Sequence, residues 1–528
     1  MTRQPDADVR FPLAKSAGLD DTDAMTDEEP TTREAWLRAV ESRDSRFDGW
    51  VTVGVTSTGI YCRPSCPTPV RPKRRNMRFF ATPASAQQAG FRACKRCLPD
   101  AAPGSPEWNR RDDLVGRAIR AIDDGVVDRS GVEGLARQLA VSSRQLNRLL
   151  SVEVGATPLA LARARRARAA RLLIETTDLR FSDVAFAAGF DSIRQFNDTV
   201  QEVFARSPSE LRRLAVSKRA GGSKPVEATA PGTTIPMRLA LRPPYNRLQV
   251  MNWLHSHAVP GVEVAAGNRY ARSLRLPGGP ATVVVELLED HAIASFRLSS
   301  LSDLQTAVHR CRRMLDLDAD PAAVDACFAD DPFLGASVIA NPGTRSPADV
   351  DGFDAVLRAV VHQQVSVASA VGVLARLTAR HGIALDEPCA LDDRLITTVI
   401  PGAEVWAELD PASLGLPASR AATIVAVSRS VAEGEVDLSP GADRDAARRA
   451  LLSVKGIGPW TAAIASLRGL SDPDVFVPGD LALRRAAESL GVPSSPTDLD
   501  AMSERWRPWR SYAMHHLWQA YQPRKRSS

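Results

Sequence analysis

Leu452-Ser-Val-Lys-Gly-Ile-Gly-Pro-Trp-Thr-Ala-Ala463 reads as the end of one helix, a tight turn and the start of another. Gly456 and Gly458 permit the turn and let a phosphate approach the backbone closely. Backbone N–H groups of the turn and the N-terminus of the following helix then bind the phosphate without reading bases. Twenty-two residues beyond Gly458 comes Val475-Phe-Val-Pro-Gly-Asp480-Leu-Ala-Leu-Arg-Arg485, where Asp480 opens a second helical pattern. Taken singly, the Gly-x-Gly also fits an ordinary turn and Asp480 an ordinary helix N-cap. Taken together, they place a backbone phosphate site and a carboxylate in one helical region.

Outward from this stretch, 528 residues imply three or four domains. Hydrophobic residues make up 44% and charged residues 24%, enough for ordinary cores. The net charge of +5 understates the basicity of the body, because Asp20, Asp21, Asp23, Asp27, Glu28 and Glu29 concentrate acid near the start. No apolar run is long enough for a membrane span, and the N-terminus lacks the pattern of a signal peptide. A cytoplasmic, nucleoid-associated protein without membrane contact is expected. Seven cysteines in such a chain do not read as a disulfide scaffold. The expected divisions are a disordered acidic tail (1–33), a cysteine-bearing unit (34–108), a helical unit (109–213), a Gly/Ser/Pro/Thr-rich linker (214–234), a part with β-like runs such as 281–288 and 292–298 (235–330), and a mostly helical part (331–522).

The cysteine unit carries Cys62-x3-Cys66, a 27-residue gap, and Cys94-x2-Cys97. Four thiolates suit one tetrahedral Zn²⁺, and a unit this small needs a metal to stabilise it. Arg63, Arg71, Lys73, Arg74, Arg75, Arg78, Arg92, Lys95 and Arg96 surround the cysteines, a setting for a phosphate backbone or a solvated basic face. Phe47-Asp-Gly-Trp-Val-Thr-Val-Gly-Val-Thr-Ser-Thr-Gly-Ile-Tyr-Cys-Arg-Pro-Ser-Cys66 with Gly90-Phe-Arg-Ala-Cys-Lys-Arg-Cys97 resembles the N-terminal domain of the adaptive-response protein Ada. The resemblance implies that Cys62 irreversibly accepts a methyl group from a DNA methylphosphotriester, and that Cys66, Cys94 and Cys97 are the other zinc ligands. Methylation removes one negative charge beside the DNA, so affinity should rise and the site should act as a switch. A purely structural zinc knuckle is the alternative.

Arg144-Gln145-Leu146-Asn147 recurs as Arg194-Gln195-Phe196-Asn197, each after a short apolar helix and a break. The segment Ser182–Asn197, continuing through Phe204-Ala-Arg-Ser-Pro-Ser-Glu-Leu211, resembles the AraC-type helix-turn-helix, which occurs as two motifs joined by a helix. Recognition helices are expected at about 142–150 and 192–204. Arg144, Gln145, Asn147, Arg148, Arg194, Gln195 and Asn197 are candidates for bases or phosphates in the major groove. The arginines 163, 165, 166, 168 and 171 read as solvated or structural. The resemblance implies promoter DNA and RNA polymerase as partners. The Pro-Cys-His-Arg site of the second methyltransferase domain of Ada is missing, and Cys311, Cys327 and Cys389 lack its context, so O6-alkylguanine repair is not expected.

The C-terminal stretches Arg242-Pro-Pro-Tyr-Asn246, Tyr270-Ala-Arg-Ser273, Val361-His-Gln-Gln-Val-Ser-Val367 and Trp506-Arg-Pro-Trp-Arg-Ser-Tyr512 resemble, with the hairpin, the AlkA-type 3-methyladenine DNA glycosylase II of the helix-hairpin-helix superfamily. The resemblance spans about 236–522. It implies Asp480 as the catalytic carboxylate and Trp253, Trp460 and Trp518 as an aromatic base pocket. It also implies Gly456, Gly458 and Thr461 as DNA contacts and Gln364 where the family can present a Leu wedge. A cationic N-alkylated purine, flipped from the stack, would meet electron-rich rings. Asp480 would stabilise the oxocarbenium charge, activate water, or both. Bifunctional relatives place a Lys just after the hairpin; here Trp460 stands there and Lys455 lies before the glycines, so a monofunctional hydrolase is expected. The hairpin carbonyls are also a candidate seat for a monovalent cation. The alternative is a transcription regulator whose glycosylase-like half binds DNA without catalysis. The fold expected is multidomain α+β, mainly helical, with a short antiparallel sheet opening the glycosylase half.

Overall fold

The computed structural model describes residues 114–219 and 234–520 throughout and, before them, Arg33, Trp36, Leu37, Val40, residues 51–64 and parts of 66–99. The chain divides into two compact units, Met1–Ala102 and Pro103–Ser528. Apart from Arg33, the expected acidic tail lies outside the described residues, as does Cys97.

In the first unit, β1 (Thr52–Val55), β2 (Ile60–Cys62), β3 (Met77–Phe80) and β4 (Arg92–Ala93) form a sheet in the order β3-β1-β2-β4. Strands β1/β2 and β1/β3 are antiparallel, and β2/β4 are parallel. Leu37, Val40, Val51, Val53, Met77 and Phe79 make its small core. Gly54 is required there, because a Cβ would sit 2.6 Å from the Phe80 ring and 2.9 Å from that of Phe91.

The second unit begins with seven helices: Leu114–Asp123, Val126–Gln138, Ser143–Val154, Pro158–Thr176, Phe181–Ala187, Ile193–Phe204 and Pro208–Arg219. Val126–Gln138 is broken at Gly131 (φ +68°), so the first helix-turn-helix proper starts at Val132. The sequence repeat has a local cause. Ser142 and Ser192 cap the two recognition helices, accepting from the N–H groups of Gln145 and Gln195, while Leu146 and Phe196 are fully buried. The last helix runs to Arg219, beyond the expected linker start at 214. Leu211–Arg219 holds good helix formers and reaches no glycine before Gly221.

From Thr234 the chain forms a five-stranded antiparallel sheet, β5 (Thr234–Ala240), β6 (Glu263–Ala266), β7 (Arg269–Leu276), β8 (Gly279–Leu287) and β9 (His291–Leu298), in the order β5-β9-β8-β7-β6. Helices follow, with one departure from the helical expectation for 331–522. Ile383–Leu391 (β10) and Arg394–Val399 (β11) form an antiparallel hairpin. Cys389, Leu391 and Ile396 pack with Val264 and Ala271 of the large sheet, so an apolar face offered by distant strands decides the local conformation. Helix Pro459–Gly469 lies between two cores: Ala462 and Ala465 belong to one, Ala463 and Leu467 to the other. Gly469 packs tightly on Gly352 of helix Gly352–Val361, a Cβ at Gly469 falling 3.2 Å from Gly352 Cα. This packing fixes the helix that follows the glycine turn. No helix among the described residues is long and apolar enough to cross a membrane.

Candidate active site and metal centre

Asp480 is both the helix cap and the centre of a side-chain cluster. Its Oδ1 accepts from Leu483 N at 2.9 Å, capping helix Leu481–Ser489. The same oxygen accepts from Trp518 Nε1 at 3.2 Å, and Oδ2 accepts from Trp460 Nε1 at 3.0 Å. Asp480 and both tryptophans are half-buried. Three N–H donors from three helices therefore orient one carboxylate at the edge of a core. Trp253 joins through Arg468, a residue sequence reasoning passed over. The Arg468 guanidinium lies 4.5 Å from the Trp253 ring centre and 5.7 Å from that of Trp518. It also bonds Pro347 O and lies 3.3 Å from His515 Nε2. Burial lowers its pKa to about 10, which leaves it cationic at neutral pH. Trp253 stacks on His257 with ring centres 4.7 Å apart. Burial lowers His257 to about 3 despite its bond to Trp253 O, and burial also holds His515 well below the usual range. The faces expected to meet a cationic base are thus already lined by one fixed cation and by neutral imidazoles. No motif marks Arg468, His257 or His515, because only the tertiary packing unites positions so far apart in the chain.

The glycine turn is braced from behind. Gly456 has φ +94°, and a Cβ there would fall 2.0 Å from Thr423 Oγ1. Around Gly458 a Cβ would meet nothing within 4 Å, so packing does not account for that glycine. The first intrahelical bond is Ala462 N to Gly458 O, which places the N–H groups of Trp460 and Thr461 at the open helix end. The Thr461 hydroxyl faces inward, 3% of the residue being exposed, and accepts from Gln363 Nε2 at 2.9 Å. Gln363 Nε2 also donates to Gly456 O at 3.0 Å. The Lys455 carbonyl accepts from Thr423 Oγ1 at 3.3 Å, so a cation at the hairpin would share carbonyls already hydrogen-bonded. Gln364 is exposed at the tip of the adjoining turn with φ +56°, beside Val365 and Val367, which are 36% and 37% exposed.

In the helix-turn-helix pair, Arg144, Gln145, Arg148, Arg194, Gln195 and Asn197 are exposed. Asn147 is half-buried and donates its amide back to Ser143 O at 2.8 Å. The arginines of helix Pro158–Thr176 are largely structural. Arg165 and Arg166 both pair with Asp128, and Arg163 and Arg171 pair with Glu202 and Glu175; Arg168 is exposed.

In the first unit, β2 ends on Cys62, and Cys94 follows β4. The parallel β2/β4 pairing and the bond from Cys94 N to Tyr61 O at 2.9 Å bring the two cysteines together. Cys66 Sγ lies 3.9 Å from Cys94 Sγ and 2.8 Å from Thr68 Oγ1. The sulfurs of Cys62, Cys66 and Cys94 all lie within 4.8 Å of one another. Tetrahedral Zn–S bonds of roughly 2.3 Å separate sulfurs by about 3.8 Å, so these residues fit a zinc ion.

Three family profiles match the chain: the metal binding domain of Ada over 35–100, a helix-turn-helix domain over 135–214, and the AlkA N-terminal domain over 236–351. The chain is 49% identical over 486 residues to the "Probable bifunctional transcriptional activator/DNA repair enzyme AlkA" of Mycobacterium tuberculosis, covering 92% of this chain and 96% of the relative. It is 32% identical over 291 residues to DNA-3-methyladenine glycosylase 2 of Escherichia coli, covering 53% of this chain and 97% of that one. Against the bifunctional transcriptional activator/DNA repair enzyme Ada of Escherichia coli it is 38% identical over 141 residues, 27% of this chain and 38% of the relative. With an Ada-type metal unit, a helix-turn-helix pair and an AlkA-type half in one polypeptide, the chain belongs to the family of bifunctional transcriptional activator/DNA repair enzymes AlkA.

Proposed function

We propose that this chain removes alkylated purines of the 3-methyladenine type from DNA and, through methylation of Cys62, activates transcription of repair genes. The observation that carries the first part is the Asp480 carboxylate, oriented by two indole N–H groups and a helix N-terminus beside the glycine turn.

The chemistry follows from charge. The hairpin holds a backbone phosphate through the N–H groups of Trp460 and Thr461, with Gln364 entering the stack as the damaged base leaves it. An N-alkylated purine is cationic, so its glycosidic C–N bond breaks with the electron pair departing on the base, which leaves neutral. Positive charge then develops on the sugar, where the Asp480 carboxylate stabilises it. A water molecule adds to C1′, and its proton passes to Asp480 or to solvent. Trp460 and Trp518 both position Asp480 and line the pocket. Arg468, being cationic, favours a base that becomes neutral over one that stays charged. Trp460 stands where a lyase would need an amine, so the product is an intact strand with an abasic site.

In the first unit, Cys62, Cys66, Cys94 and Cys97 would hold one zinc ion, which when bound keeps thiols ionised at neutral pH. Methylation of Cys62 forms an S–C bond while the methyl C–O bond of the phosphotriester breaks, leaving a phosphodiester. The exposed residues of the two recognition helices read a promoter, with RNA polymerase as the next partner. The hairpin carbonyls would also seat a monovalent cation, whose charge would add to the attraction for a DNA phosphate.

The deciding measurement is release of free base from methylated duplex DNA, wild type beside Asp480→Asn. Release of 3-methyladenine by the wild type, with a loss of ~100-fold or more in the variant, supports the assignment. DNA binding without release by either protein would replace it with a regulator that only binds through this half. For Cys62, labelled methyl transfer from methylphosphotriester DNA should fail completely in Cys62→Ser.

A further inference from the structure

The first helical pair of the regulator half is seated on the glycosylase half through two polar patches. At one, Asp124, almost fully buried, ends helix Leu114–Asp123. Its carboxylate lies 2.9 Å from Arg129 NH2 and 3.5 Å from Arg310 Nε, and its carbonyl accepts from Thr306 Oγ1 at 2.9 Å. At the other, Arg117 Nε donates to Gly441 O at 3.0 Å, Arg120 Nε to Pro440 O at 2.8 Å, and Gln138 Nε2 to Ser439 Oγ at 2.9 Å. Arg117 NH1 also lies 3.8 Å from Asp443 Oδ2. Backbones meet here: a Cβ on Gly441 would fall 3.0 Å from Ala121 Cβ and 3.1 Å from Arg117 O. The turn so gripped is not a neutral loop. Asp443 N-caps helix Arg444–Ser453, accepting from Ala446 N at 2.9 Å, and that helix runs directly into the hairpin at Val454–Gly458. The exposed residues of the recognition helices take no part in these bonds.

We propose that the first helical pair is a working part of the glycosylase's grip on DNA: Arg117, Arg120 and Gln138 are positioning residues that fix the 439–443 turn, and through it the helix leading into the hairpin. This rests on the reading that the hairpin binds damaged DNA. A hairpin binds phosphate through N–H groups converging on one point, so ordering its leading helix beforehand removes an entropic cost from DNA binding without touching the bond that breaks. The regulator half would then serve repair even on DNA without a promoter.

The test uses the full chain. Ala121→Cys with Gly441→Cys should close a disulfide under mild oxidation, identified as a cross-linked peptide that neither single variant gives; disulfide Cβ atoms lie about 3.5–4.5 Å apart, within a small adjustment of this contact. Arg117→Ala with Arg120→Ala should raise KM for methylated non-promoter duplex about tenfold, the loss of roughly one net hydrogen bond, with kcat within about twofold. Introducing the same engineered disulfide into that double variant and oxidising it should restore KM, and reduction should abolish the rescue. Cross-link yield no higher than in the single variants, or an unchanged KM in the double variant, overturns the proposal. Should the wild type release no base, the glycosylase reading fails, while cross-link yield and duplex affinity still decide this one.

Discussion

At the scale of single residues, Asp480 is a helix cap that has acquired two indole donors. Trp518→Phe keeps a ring of similar shape and removes one of them. A hydrogen bond to a charged group contributes about 1.5–3 kcal/mol, so kcat for base release should fall by roughly tenfold or more with little change in KM; an equal rise in KM alone would mean that the ring only stacks the base. The sequence made Asp480 legible as a cap through its position before Leu-Ala-Leu-Arg, and its partners legible only through family resemblance. Trp460 and Trp518 lie 20 and 38 residues away, a distance no local pattern bridges. Arg468 escaped altogether, since a single arginine inside an apolar helix carries no signal until the rings of Trp253 and Trp518 are seen to close over it.

At the scale of elements, the two helix-turn-helix motifs were readable because each turn is a local event, a serine cap followed by a buried Leu or Phe. What joins them was less so. Arg165 and Arg166 stand in an arginine run that reads as solvated or structural, and the structure shows which partner makes them structural: both converge on Asp128 of another helix with little exposure on either side. Burial raises the Asp128 pKa against the pull of the arginines, so the pairing is maintained under strain from desolvation. Asp128→Ala would leave two guanidinium groups buried without their carboxylate, and a loss of about 3–5 kcal/mol is expected. Denaturant unfolding of the full chain, followed by a probe in this region, measures it; a loss below about 1 kcal/mol would show the pair to be solvated. The β10–β11 hairpin was missed for the opposite reason. Its Thr-Thr-Val run and its Asp392 turn were visible, but the face that makes a strand worthwhile is supplied by Val264 and Ala271, more than a hundred residues earlier.

At the scale of the whole molecule, the domain order could be read from motifs spaced along the chain, whereas the seating of the first helical pair on the glycosylase half could not. Arginines 117 and 120 sit in an amphipathic helix that would look the same beside solvent. The large unit also carries a collective pH response. Burial depresses His257, His362, His515 and His516, the first to about 3 and the last to about 4. Unfolded imidazoles titrate near 6.5, so between that value and the folded ones the unfolded chain binds protons that the folded chain refuses. These groups contribute stability that is present above pH 6.5 and lost on acidification. His516→Gln, which can keep a partner for Ser337, should therefore show a smaller drop in Tm than wild type between pH 7.5 and 5.5. Equal drops would show that His516 takes up its proton in the fold as readily as in the unfolded chain.

The left-handed turn at Gln364 bears on how the protein can change over time. Holding a residue with a side chain there costs on the order of 1 kcal/mol, which glycine would relieve. Gln364→Gly should accordingly raise the midpoint of thermal unfolding while slowing base release, because the side chain proposed to enter the stack is gone. A variant library sorted for heat resistance alone would drift toward glycine at this position and away from repair, and only selection under alkylating stress would hold the side chain in place.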